Sequence, residues 1–181
     1  MKTVLKCKQN GAILVVSLIM LLVMTMLAVS AMRSTTLEER MGGNSRNRET
    51  AFQAAEAVLR AGESSVEGNT TEPLATSDGS TDIWVLDAPD PDTSNATAWW
   101  KESTRDQSWW TTNAVAYTST LSGVGTGPRY LIEAADFVRD SLNVGSQQDE
   151  SGQVYYRVTA RATGGNDLAL ALLQSTYAKR Y

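Results

Sequence analysis

The chain has 181 residues, room for one domain plus an appendage. Its 42% hydrophobic and 20% charged residues suit a folded protein, and a formal net charge of -4 carries no basic footprint for nucleic acid. Histidine is absent and cysteine occurs once, at Cys7. The commonest general base and zinc ligand are therefore missing, an intrachain disulfide is impossible, and most enzyme classes become poor candidates.

In chain order, Lys2, Lys6 and Lys8 precede residues 12–32, AILVVSLIMLLVMTMLAVSAM, which hold no charge. As a helix this run spans roughly 30 Å, enough for a bilayer core. The upstream lysines place the N-terminus in the cytoplasm and the bulk of the chain outside. Three fates are open to such a segment. It can be a plain signal anchor. It can be a secretory signal peptide cut after Val29-Ser30-Ala31, although the run is longer than a usual signal core. Or it can be cut at Gly11, which removes the lysines and keeps the apolar helix.

Residues 33–41, RSTTLEERM, are helix-compatible, with opposed charges at helical spacing. Gly42 and Gly43 follow, each costing about 1 kcal/mol against alanine in a helix interior. They mark either a turn between two helices or a weak point within one. Beyond them Phe52, Ala55, Val58 and Leu59 repeat at helical intervals, the expected apolar face against a globular head.

Residues 63–81 turn polar and read as a linker. Residues 82–86 and 129–133 are short strand candidates. In the strand expected over residues 155–163, Tyr156, Val158, Ala160 and Ala162 share a face to be buried. Arg157, Thr159, Arg161 and Thr163 share the other, expected to be solvated. Gly164-Gly165-Asn166-Asp167 suits a hairpin into a last strand over residues 168–177. The composite is an α+β head, one amphipathic helix on a small, mostly antiparallel sheet.

Two tryptophan pairs, Trp99-Trp100 and Trp109-Trp110, admit two interpretations. Exposed, they make a surface for a partner or a carbohydrate. Alternatively one ring of each pair packs in the core, which buried area favours. Asp87, Asp90, Asp92 and Asn95 fail the usual calcium-loop spacing and suggest a solvated acidic loop.

A hydrophobic half joined to an amphipathic half resembles the long N-terminal helix of type IV pilins. Gly11-Ala12-Ile13-Leu14-Val15-Val16, then Ser30-Ala31-Met32-Arg33-Ser34-Thr35-Thr36-Leu37-Glu38-Glu39-Arg40-Met41, is similar to the PilX family of minor pilins. Asn44, Arg46 to Arg48 and residues 51–57 extend the likeness. So do residues 155–165 and Leu173-Gln174-Ser175-Thr176-Tyr177. The resemblance implies a leader over residues 1–11, a transmembrane segment over 12–32, its amphipathic continuation over 33–66, and an exported head over 67–181. It implies cutting by a prepilin peptidase between Gly11 and Ala12, with methylation of the new N-terminus. Losing three of the 16 basic residues leaves 13 against 20 acidic ones, a formal net charge of -7.

Most pilins carry glutamate at the fifth mature position; here that position is Val16. The resemblance thus implies a priming subunit at the filament tip, without cofactor or catalysis, anchored in the inner membrane with its head in the periplasm until assembly. Its expected partners are the bilayer, other minor pilins, the major pilin and a tip adhesin. Glu38, Glu39, Arg40 and Phe52 are the expected helix-packing and subunit contacts. The alternatives are a K-type pseudopilin of type II secretion, which also lacks the glutamate, and a secreted carbohydrate-binding module using the tryptophans.

Overall fold

The computed structural model describes residues 12–139 and 152–181. Gly11, Cys7 and the leader lysines lie outside the described residues. The chain divides into two compact units, Met1–Asn44 and Ser45–Tyr181.

Helix α1 runs from Ala12 to Gly68, 57 residues. Its backbone stays helical through Gly42 and Gly43, so the glycine pair is not a turn between helices. In the first unit, Ser17 Oγ donates to Leu14 O at 2.9 Å and Thr25 Oγ1 to Leu22 O at 2.8 Å. These two hydroxyls within the apolar run thus find partners on their own helix, which suits a lipid-facing segment. The run is long and apolar enough to cross a membrane.

In the second unit, α1 buries Ala51, Ala54, Ala55, Val58, Gly62 and Val66 on one face. That stripe corrects the face expected from sequence. Phe52 lies beside it and remains 48% exposed, and Leu59 sits at its margin. The contact is made chiefly by small residues because backbone and sheet approach closely. A Cβ at Gly62 would meet Val158 Cγ1 at 2.6 Å and Tyr130 at 3.1 Å.

The sheet has five strands: β1 (Ile83–Val85), β2 (Val115–Ala116), β3 (Arg129–Arg139), β4 (Gly152–Thr163) and β5 (Leu170–Arg180). Its order is β1-β3-β4-β5, with β2 also on β3. β1 runs parallel to β3 and all other pairs are antiparallel. The α+β class and the mostly antiparallel sheet agree with the sequence. β3 and β4 extend beyond their expected bounds, with a register shift between Ala134 and Asp136.

Under α1, Tyr130, Ile132, Val154, Tyr156, Val158 and Ala160 meet Val58 and Val66 in the main core. The opposite face was expected to be solvated and is not. Thr159 and Thr163 are buried there, and Arg157 and Arg161 half-buried. A segment containing a short 3-10 turn (Trp99–Lys101) and helix α2 (Gln107–Asn113) folds across it. There Trp84, Trp99, Trp110, Ala114 and Leu131 form a second core.

Strand β5 fastens the end of α1. Lys179 Nζ donates to the carbonyls of Val66 at 3.0 Å and Asn69 at 2.5 Å, and also to that of Glu67. α1 has no basic residue in its own last turn, so a lysine from the sheet supplies the favourable charge. Ser175 Oγ donates to Glu63 at 2.7 Å and Tyr177 Oη to Glu67 at 2.6 Å.

Two outcomes follow for the core. Gly62→Ala should lower stability by about 1–3 kcal/mol through overpacking, outweighing a helix-propensity gain of about 1 kcal/mol. Gly43→Ala, where the added Cβ meets nothing within 4 Å, should keep the gain. Thermal unfolding of the full chain in detergent distinguishes the two. Burial also pushes the Tyr156 phenol well above its ordinary value of 10.0, aided by its hydrogen bond to Tyr181. The folded state holds this proton where the unfolded state releases it. The contribution is therefore complete below about pH 10 and declines as pH rises further. Tyr156→Phe should flatten that alkaline decline in a pH series of denaturant midpoints.

Candidate functional site

The chain carries two kinds of surface suited to assembly: an apolar helix with charges at its end, and a head whose exterior is set by the tryptophan segment.

On α1, Ala12 opens the helix and Val16 is 56% exposed within the apolar run. Glu38, Glu39 and Arg40 are all exposed. Glu38 accepts a long hydrogen bond from Ser34 Oγ at 3.4 Å. Among the described residues Glu39 and Arg40 form no ion pair, although opposite charges lie at helical spacing along this stretch. These side chains are thus free to engage groups on another molecule, where an exposed pair contributes about 0–1 kcal/mol. Phe52 lies further along, in the head unit. It borders a shallow groove with Arg48, Glu49, Leu168 and Leu170.

The tryptophan segment is organised around a buried carboxylate. Glu133 lies on β3 and is wholly inaccessible. Strand register sets it opposite Arg157 of β4. Arg157 Nη2 approaches Glu133 Oε1 at 2.6 Å, and its Nε donates to Oε2 at 2.9 Å. Trp99 Nε1 donates to the same carboxylate at 3.2 and 3.3 Å. The backbone N–H of Asp87 adds a fourth donor at 3.0 Å, with Asp87 in the left-handed region at φ 58°. The Asp87 carboxylate then accepts from Arg157 at 2.5 Å. Burial opposes the charge of Arg157, but its bonds to Glu133 and Asp87 outweigh this and hold its pKa above the ordinary guanidinium value. A buried charge needs such saturation to be tolerated.

All five tryptophans gather above this cluster. Trp99 stands 5.5 Å from Trp100 edge-on and 5.7 Å from both Trp109 and Trp110; Trp84 lies 6.2 Å from Trp109. Arg157 lies 5.1 Å from the Trp100 ring centroid and Arg105 4.5 Å from that of Trp109. Trp99 and Trp110 are 1% and 0% exposed, so they are core and cannot present themselves to a partner; Trp100 and Trp109 are half-buried. Trp110 Nε1 is buried without a hydrogen-bond partner among the described residues.

In the acidic loop, Asp90 accepts from Asp92 N and Asp92 from Ser94 N, local turns that occupy its carboxylates. Among the described residues no group of three or more acidic side chains could hold a metal ion. The cluster of Asp87, Glu133 and Arg157 escaped sequence reasoning. Its one signal was a glutamate two residues after Leu131, on the same face of a strand. The arrangement is built for rigidity; nothing in it is a nucleophile beside a base.

The chain matches two family models. One, described as PilX N-terminal, covers residues 10–60; the other, described as type IV pilus assembly protein PilX C-term, covers residues 71–179. No curated protein and no solved structure matches it.

Removing one partner from the buried cluster should be costly. Glu133→Ala is expected to destabilise the head by about 3 kcal/mol, the lower end of the range for a broken buried pair, because Asp87 still engages Arg157. Arg60→Ala breaks an exposed pair with Glu56 and should change stability by about 0.5 kcal/mol or less. Denaturant titration followed by tryptophan fluorescence compares the two directly, since Trp99 reports on the cluster.

Proposed function

The chain belongs to the PilX family of type IV pilus assembly proteins, and from that premise we propose that this minor pilin primes the filament and remains at its tip. The observation that carries the proposal is the uncharged helical run of residues 12–32, in which Val16 stands where most pilins have a glutamate. A carboxylate in lipid or in a helix bundle is costly unless paired. In a repeating subunit a neighbouring amino terminus can provide that pair. A subunit above all others has no such neighbour, and valine needs none.

In this scheme the prepilin peptidase cuts between Gly11 and Ala12. Residues 12–32 hold the precursor in the inner membrane as a single pass, with residues 33–66 continuing the helix and the head over 67–181 in the periplasm. On assembly the apolar helix exchanges lipid for the helices of other minor pilins and the major pilin. Glu38, Glu39 and Arg40 then make ion pairs between subunits, and half-exposed Phe52 packs on a neighbour. A tip adhesin is the further partner. Burial of Trp99 and Trp110 removes the aromatic pairs on which a carbohydrate-binding module would depend.

Two measurements test this. Intact mass of the membrane-extracted protein should show a chain starting at methylated Ala12; a start at Met1 or Met32 would exclude pilin processing. Gold labelling of an epitope on the head should then mark one end of each pilus, and Val16→Glu should allow label along the shaft. Uniform label on wild-type pili would overturn tip placement.

A further inference from the structure

We infer that the outer edge of β5, with the groove at its start, is a docking site for an extended strand of another protein. Two independent features support it, and both lie within the head unit.

The first is an unprotected edge. Sheets usually blunt their edges with short strands, prolines, bulges or charges, because unpaired N–H and C=O groups recruit other strands. The β1 edge is so treated. β1 has three residues, and the chain at Thr76 covers it, Thr76 N donating to Ile83 O at 2.9 Å and Val85 N to Thr76 O at 3.0 Å. β5 is the reverse. It has 11 residues in unbroken register with β4, from Gln153 opposite Arg180 to Thr163 opposite Leu170. Residues 168–178 contain no charge and no proline. Among the described residues no strand pairs with its outer side.

The second feature is apolar exposure confined to the start of this strand. Leu168 is 91%, Leu170 53% and Phe52 48% exposed, and the three border one groove with Ala169 and Ala171. Open backbone groups beside a side-chain groove are what strand addition uses, the first for affinity and the second for selectivity. The incoming strand carries an apolar side chain into the groove and alternates along the remainder of the edge.

A second copy of this chain fits less well. Antiparallel β5–β5 pairing would set the apolar start of one strand against the end of the other, where Lys179 is already engaged with the end of α1 and offers the groove no apolar side chain. It would also bring together the two α1 helices, whose Glu63 and Glu67 lie on the β5 side. A foreign strand is free of both penalties.

The test uses the full chain in detergent and a soluble peptide of alternating threonine and valine. Hydrogen exchange should show peptide-dependent protection of alternate amides in residues 170–178. Leu170→Lys should weaken peptide binding about tenfold or more without shifting the thermal midpoint. Proline at Ser175 or at Thr176 provides a second check, since adjacent N–H groups point to opposite sides of the strand. One variant should fold normally and lose the peptide, whereas the other should lose a ladder bond and stability. Absent or displaced protection at saturating peptide would overturn the inference. So would protection of the same amides that rises with protein concentration alone, which would assign the edge to a second copy. Neither arm requires a pilus, so failure here is distinct from failure of the tip proposal.

Discussion

The close approach of α1 to the sheet is the contact on which the head depends. A helix faced with leucine stands off a sheet by the length of its side chains. One faced with Ala51, Ala54, Ala55 and Gly62 lets Val58 and Val66 reach down between Ile132, Tyr156 and Val158. Nearness also allows β5 to reach the helix end with Lys179, Ser175 and Tyr177. At the other end of the contact, Asn47 Nδ2 bonds Asn166 Oδ1 at 2.5 Å, and a Cβ at Gly164 would strike the Asn47 carbonyl at 2.3 Å. Glycine is required there for the same reason as at position 62. The helix is thus held along its docked length, and a side chain added at either glycine would lift it.

With one face of the sheet occupied by α1, the composition of the other face follows. A small sheet left open would bury too little apolar area to order the chain. The tryptophan segment closes it, and the closure is registered by charge instead of by shape alone. Four donor groups on Arg157, Trp99 and Asp87 converge on Glu133, so the segment from β1 to the 3-10 turn is placed where the buried carboxylate is satisfied. Any slip along the sheet would leave that charge unpaired. Burying an ion pair is a poor source of net stability, but it penalises wrong registers heavily.

This division explains what the sequence could disclose. Helical periodicity located α1, and the alternation in residues 155–163 identified the buried face of β4 correctly, because both are local patterns. Phe52 is the largest member of the periodic set, yet it does not join the docked stripe. It falls one position from Ala51, about 100° around the helix, and the docked stripe is made of residues too small to stand out. The second face of β4 was illegible because its cover comes from residues 84–110, and no local pattern says where a tryptophan-rich loop will fold. Glu133 and Arg157 are likewise joined by strand register, which a spacing of 24 residues does not encode. The register shift between Ala134 and Asp136 further concealed the length of β3 by breaking its alternation. The family likeness was legible for a different reason: it rests on contiguous runs of sequence, chiefly residues 11–16, 30–41 and 155–165, and needs no tertiary contact.

The tryptophans also answer a problem set by cysteine. A small head exported from the cytoplasm is commonly stapled by disulfides, and a chain whose sole cysteine is Cys7 cannot form one internally. A disulfide contributes about 2–4 kcal/mol. Trp99 and Trp110 are almost completely buried, and at 150–250 Å² each and about 25 cal/mol per Å² either ring contributes roughly 4–6 kcal/mol as an upper bound. The orphaned Trp110 Nε1 returns about 1–3 kcal/mol of that gain. Two such rings still match or exceed one covalent bridge. They also occupy the face of the sheet opposite α1, so the stabilising mass lies away from the helix and leaves its outer face available for contact.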